Sequence, residues 1–284
     1  MKKGKKLVTV ICMCFVLILT GCSSNSQEIT VVSREDGSGT RGAFVEAVGV
    51  VDKDDNDITT VNAEITNSTS VVIQSVISNV NSIGYISIGA LSENIKGLNI
   101  DGVPASPENV NSGEYKISRP FSIIEKKGTS IAAKNFISYV LSDQGQKIVE
   151  NTGFVALKGN GKYEKKEIEG KVVIAGSTSV GPLMEVLAQE YMEINPQVEI
   201  EIQQTGSTAG IESTLAGACD IGMSSRNLKE SETSKGLKET VIARDGIAVI
   251  VNKNNPCSNL QLEDVRDIFA GKISNWNNEE LKND

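Results

Sequence analysis

The stretch KVVIAGSTSVGPLMEVLAQEY (171–191) carries the plan of the whole chain. Val172 to Ala175 form a β-rich apolar run, Gly176-Ser177-Thr178-Ser179 is a turn of small residues, and Leu183, Leu187 and Tyr191 recur every fourth position as the apolar face of a helix. Pro182 suits the first turn of that helix. A strand, a hydroxyl-rich turn and a helix in succession predict α/β organisation.

Two other stretches repeat the unit. In ITVVSREDGSGTRGAF (29–44) the strand ends near Ser33, residues 36–40 make the turn, and Ala43, Phe44 and Ala47 give the helical face. Arg34 precedes this turn, and Ser38 and Thr40 stand at the helix start. In VEIEIQQTGSTAGIESTLAGA (198–218) the strand ends near Gln204, Ser207 is read as the cap, and Ile211 and Leu215 point to the core.

A helix N-terminus offers unpaired N–H groups and the positive end of the dipole, and Ser or Thr hydroxyls add uncharged donors. Taken singly, each motif is accounted for by ordinary capping. Together with Arg34, a bidentate oxyanion clamp, three such starts could surround one small oxyanion. The spacing G-x-x-x-x-G at 176–181 is followed by Pro182 and Leu183, not Lys and Ser or Thr, so a nucleotide P-loop is excluded.

The rest of the chain supports the same class. Residues 68–80 read as a helix with Val72, Val76 and Val80 on one face, followed by the strand GYISIG (84–89). Residues 130–150 read as one long helix with Phe136, Ile137, Val140 and Leu141 inward. DIGMSSR (220–226) and DGIAVIVN (245–252) read as buried strands, and LEDVRDIFAG (262–271) as a helix closed by Gly271. LKGNGKYEKKEIEGK (157–171) is polar, charged and glycine-bearing, and reads as a linker.

The chain has 284 residues, 39% apolar and 23% charged, enough for one large domain or two lobes. Residues 1–21 read as a signal peptide: four lysines precede the thirteen-residue apolar run LVTVICMCFVLIL. That run is shorter than the ~20 residues that span a bilayer. Leu19-Thr20-Gly21-Cys22 resembles the lipobox of bacterial lipoproteins, which would make Cys22 a lipidated new N-terminus with residues 22–27 as tether. Without those four of the 28 basic residues, 24 remain against 36 acidic ones, a net charge of −12. Such a surface does not recruit nucleic acid, and any anion it holds is held by local groups.

No histidine occurs, which excludes His-dependent hydrolases and nitrogen-ligated zinc. The acidic run DKDDND (52–57) lacks the glycine and closing glutamate of a calcium loop and reads as a solvated loop. No metal or cofactor is expected. Cys219 and Cys257 read as two separate thiols, not a disulfide framework.

Nine stretches together, AGSTSVGPLMEVLAQEY, TGSTAGIESTLAGACDIGMSSR, IARDGIAVIVNKNNP, VRDIFAGKISNW, REDGSGTR, IGYISIG, IDGV, ISRPF and LSDQGQKIV, resemble the phosphate-binding proteins that feed the high-affinity phosphate ABC importer. The resemblance covers nearly all of residues 28–284. It implies a two-lobed α/β clamp of the periplasmic-binding-protein type (type II), closing on its ligand like a hinge. The order departs from the family, whose AGSTS segment comes first. Here residues 28 to about 157 carry the later half and 170–284 the earlier half, as in a circular permutant with the linker 157–171 joining the old ends. One lobe would be 28–118 plus 248–284, and the other 119–247.

The resemblance assigns phosphate contacts to Thr178, Ser179, Ser207, Arg34, Ser38, Gly39 and Thr40, with Asp36 orienting Arg34. Ser225 takes the place at which well-known relatives have an aspartate that accepts the proton of hydrogen phosphate. Asp245 and Asp36 are the remaining candidates for that acceptor. The expected function is a lipid-anchored receptor on the outer face of the membrane, partnered by permease and ATPase subunits and performing no chemistry. A receptor for another tetrahedral oxyanion such as sulfate, and a phosphate-releasing hydrolase, are the alternatives.

Overall fold

The computed structural model describes residues 27–282. The first third alternates strands and helices: β1 (Thr30–Arg34), α1 (Gly39–Val48), β2 (Glu64–Thr66), α2 (Thr69–Ser78) and β3 (Ser82–Ser87). Short β4 (Ile95–Gly97), β5 (Asn99–Ile100) and α3 (Pro107–Ser112) lead to β6 (Ser118–Lys126), α4 (Ile131–Val140) and α5 (Asp143–Asn151). The alternation then resumes with β7 (Gly170–Gly176), α6 (Gly181–Ile194), β8 (Val198–Gln204), α7 (Ser207–Ala216), β9 (Ile221–Ser224) and α8 (Glu230–Thr233). The sixteen-residue β10 (Leu237–Asn252), β11 (Asn259–Leu260) and α9 (Leu262–Phe269) follow.

The main strands lie in the order β2-β1-β3-β10-β6-β9-β7-β8. β1 is parallel to β2 and β3, and β7 is parallel to β8 and β9. Strand β10 runs through the middle, its first part antiparallel to β6 and its second to β3 and β4. The apolar interior forms two large clusters that change over along this strand. One draws on residues from Ile29 to Ile117 and from Ile247 to Ile273, with Val155, and the other on the remaining core residues between Phe121 and Ala243.

Because both parallel units are right for βαβ connections, helices α1 and α2 start at the carboxyl ends of neighbouring strands, and so do α6 and α7. In open α/β sheets this edge is where ligands sit. The first and last described segments are adjacent: Ile29 N donates to Ser274 O at 2.8 Å and Trp276 N to Gln27 O at 2.9 Å.

Two expectations are corrected, and the linker proves better packed than its composition suggests. Residues 130–150 are two helices, because Ser142 stops the first, donating to Tyr139 O at 2.6 Å, and caps the second by accepting from Gly145 N at 3.2 Å. The chain is so tight there that a Cβ on Gly145 would lie 2.3 Å from Tyr139 O. Val80 lies beyond the end of α2 and is 45% exposed, leaving Val72 and Val76 as its buried positions. The linker 157–171 ends in β7 and is not simply solvated: Tyr163 is buried against Tyr139 and Tyr191, and its hydroxyl donates to Asn135 Oδ1 at 2.6 Å.

Candidate functional site

Four helix starts meet between the two apolar clusters. At three of them a serine hydroxyl takes up one or two of the first N–H groups, and the other hydroxyls face one another. On α1, Ser38 is the N-cap and accepts from Arg41 N at 3.3 Å, while Thr40 is free of capping and meets Ser179 Oγ at 2.9 Å. On α2, Ser68 caps and Thr69 reaches Ser179 Oγ at 3.2 Å and Thr178 Oγ1 at 3.4 Å. At α6 the hydroxyl of Ser177 accepts from Ser179 N and Val180 N, which releases the Thr178 and Ser179 side chains toward the cleft.

At α7 the reading of Ser207 as cap is corrected. Gly206 holds the cap position with φ 92°, a conformation suited to glycine, and Ser207 is the first helical residue. Its hydroxyl instead accepts from Ser225 N at 3.2 Å and lies 3.4 Å from Ser225 Oγ, which also accepts from Ser177 Oγ at 3.0 Å. Gly39 closes the group from the opposite side, and its lack of a side chain is required. A Cβ there would lie 2.3 Å from Ser207 Oγ and 2.7 Å from Ser225 Oγ. Except for half-buried Ser68 and Thr69, the hydroxyl-bearing residues here are all buried. A cavity of about 550 Å³, lined in part by Thr69, Ser87, Thr178 and Ser179, opens beside them.

Arg34 is 2% exposed at the end of β1. Its backbone N–H donates to Tyr85 Oη at 3.2 Å, and Tyr85 stacks on Phe44 with ring centroids 4.0 Å apart. Burial pushes the Tyr85 phenol up to about 12, so it stays protonated as a support. The guanidinium fork is held by Glu35: Nε donates at 2.9 Å and Nη2 at 2.8 Å to its two carboxylate oxygens. This corrects the role given to Asp36, which is 93% exposed and paired with Arg41 one helical turn on.

Asp245 is fully buried. It accepts from Arg119 Nε and Nη2 at 3.0 and 2.9 Å and from Ser87 Oγ at 2.8 Å. Burial pushes its carboxyl up to about 6 against the pull of Arg119. Among the described residues, no carboxylate is bonded to the hydroxyl group formed by Thr40, Thr69, Thr178, Ser179, Ser207 and Ser225. Sequence reasoning missed Thr69, Ser177 and Glu35. For Thr69 the signal was present, since NSTS (67–70) is a fourth hydroxyl-rich helix start. Cys22 lies outside the described residues.

Neutral donors gathered by four helix starts between two α/β cores, with a buried arginine at the end of β1, define a ligand-binding protein. The chain belongs to the PBP superfamily, whose domain it matches over residues 15–144 and 161–284. It is 47% identical to phosphate-binding protein PstS 2 of Streptococcus agalactiae serotype V, over 97% of this chain and 98% of that protein. A solved phosphate-binding protein of a phosphate ABC transporter from Streptococcus pneumoniae TIGR4 is 44% identical, with a TM-score of 0.71 over 90% of this chain and all of that one. Phosphate-binding protein PstS of Bacillus subtilis strain 168 is 32% identical, over 39% of this chain and 38% of that protein. The fold is the two-lobed, periplasmic-binding-protein-like one.

Proposed function

We propose that this chain is an extracytoplasmic receptor that captures inorganic phosphate in its hydroxyl cradle and delivers it to an ABC phosphate importer. The carrying observation is the buried meeting of Thr40, Thr178, Ser179, Ser207 and Ser225, with Arg34 buried at the end of the strand that leads into α1. These donors, with the helix N–H groups, match a small oxyanion and leave no group placed to attack a bond. The family supports the same reading, since its members matched over most of their length are phosphate-binding components of transporters. Isothermal calorimetry with inorganic phosphate tests it. One phosphate bound per chain, and no turnover of a chromogenic phosphate ester, are the expected results.

Ser225 favours a second reading of the ligand class. A hydroxyl both donates and accepts, so it can face protonated or unprotonated oxygen, whereas a carboxylate only accepts when ionised. With Asp245 engaged by Arg119 and Ser87, and Asp36 at the surface, the cradle is suited to tetrahedral oxyanions generally. Competition with sulfate in the same calorimeter separates a phosphate-selective site from a general one.

Two lobes are inferred as 28–118 with 248–284, and 119–247, the boundaries lying where the two apolar clusters change over. Circular permutation is supported by the adjacency of residues 27–29 and 274–276, and by whole-length matching to one kind of relative but part-length matching to another. The permease and ATPase of the importer are the implied partners.

Anchoring is inferred from Cys22. Cys22→Ser is expected to release the protein from the membrane fraction, because one thiol carries the lipid. A variant that still pelleted with membranes after a high-salt wash would refute the anchor.

The cradle itself is tested by Thr178→Val and Ser207→Ala. Each removes one hydroxyl and leaves the helix N–H groups, so each is expected to weaken phosphate binding by roughly 1–3 kcal/mol. Unchanged affinity in both would mean that the anion sits elsewhere.

A further inference from the structure

Arg119 and Asp245 stand directly opposite each other on antiparallel β6 and β10, at the changeover between the two apolar clusters. Their side chains are 1% and 0% exposed. The pair uses only one edge of the guanidinium, since Nε and Nη2 both donate to Asp245 Oδ2. Arg119 Nη1 is buried and has no acceptor. A dry, unused donor is costly, and a strut between two strands does not need one.

The surroundings indicate what this donor is for. Ser87, which holds the other oxygen of Asp245, lines the same cavity as Thr69, Thr178 and Ser179. Arg34 is near enough that its charge opposes protonation of Arg119. The Phe121 ring, 5.2 Å from Arg119 Cζ, backs the guanidinium.

We propose that Arg119 is a second cationic ligand of the anion site, presenting Nη1 to the bound anion from the floor of the cleft. This rests on the cradle being the phosphate site. Asp245 then positions Arg119, and Ser87 holds Asp245.

The test is calorimetry with inorganic phosphate on the full chain, with thermal unfolding measured in parallel. Arg119→Lys keeps a cation beside Asp245 but has no second nitrogen, and is expected to bind phosphate at least about tenfold more weakly. The double variant Arg119→Met with Asp245→Asn leaves no orphan charge and is expected to lose more than Arg119→Lys does. A folded Arg119→Lys or double variant with undiminished affinity overturns the proposal and leaves Arg119 a strut. Failure of the unaltered protein to bind phosphate would strike the cradle reading instead, so the two failures are distinguishable.

Discussion

Arg34→Ala is expected to all but abolish phosphate binding while leaving the fold intact. Arg34 is buried at the end of β1, just before the hydroxyl-rich start of α1, and the Ser and Thr donors of the cradle are neutral. Truncating one partner of a desolvated charge-assisted contact costs ~2–5 kcal/mol, which is at least about thirtyfold in affinity. The fold survives because the strand's contact with Tyr85 runs through the backbone N–H, which alanine keeps. Glu35, 30% exposed, can turn to water when its partner is gone. Phosphate titration showing less than about tenfold weakening, in a variant with unchanged melting temperature, would remove Arg34 from the site.

The same residue shows where sequence reasoning reaches its limit. That Arg34 precedes a hydroxyl-rich helix start is a local fact, visible in REDGSGTR, and the strand, turn and helix units around it were legible for the same reason. Which carboxylate holds it is not local. Asp36 and Glu35 are both within reach along the chain, and the choice is made by Arg41, one turn into α1, which takes Asp36 and also donates to Arg34 O at 2.9 Å.

Register hides the Arg119–Asp245 pair. Arg119 and Asp245 are 126 residues apart, and only the pairing of β6 with β10 sets them opposite each other. The broken helix at 141–142 was obscured in a different way. Its apolar spacing continues through the break, and the stop lies in the Ser142 hydroxyl and the close approach of Gly145 to the preceding turn. Periodicity reports which face is buried, and it does not report where a side chain competes with the backbone for a carbonyl.

Gly39→Val is expected to eliminate phosphate binding by obstruction, without removing any donor. Gly39 opens α1 in a backbone conformation that any residue can adopt, so valine there disturbs neither β1 nor the helix. The added side chain does meet the opposite half of the cradle. Its Cβ alone would lie 2.3 Å from Ser207 Oγ, 2.7 Å from Ser225 Oγ and 3.0 Å from Ser207 Cβ. The two hydroxyls are short and already bonded to each other and to Ser225 N, so they cannot swing aside without breaking the cradle. The start of α1 must therefore stand off from that of α7, opening the contact between Thr208 N and Gly37 O that now closes at 3.1 Å. Affinity should fall by at least about a hundredfold, and the rise in melting temperature that a bound ligand gives should vanish with it. The melting temperature without phosphate should stay close to that of the unaltered protein, because the clash lies between the two cores and not inside either. A Gly39→Val protein that bound phosphate normally would show that these two helix starts need not meet around the anion.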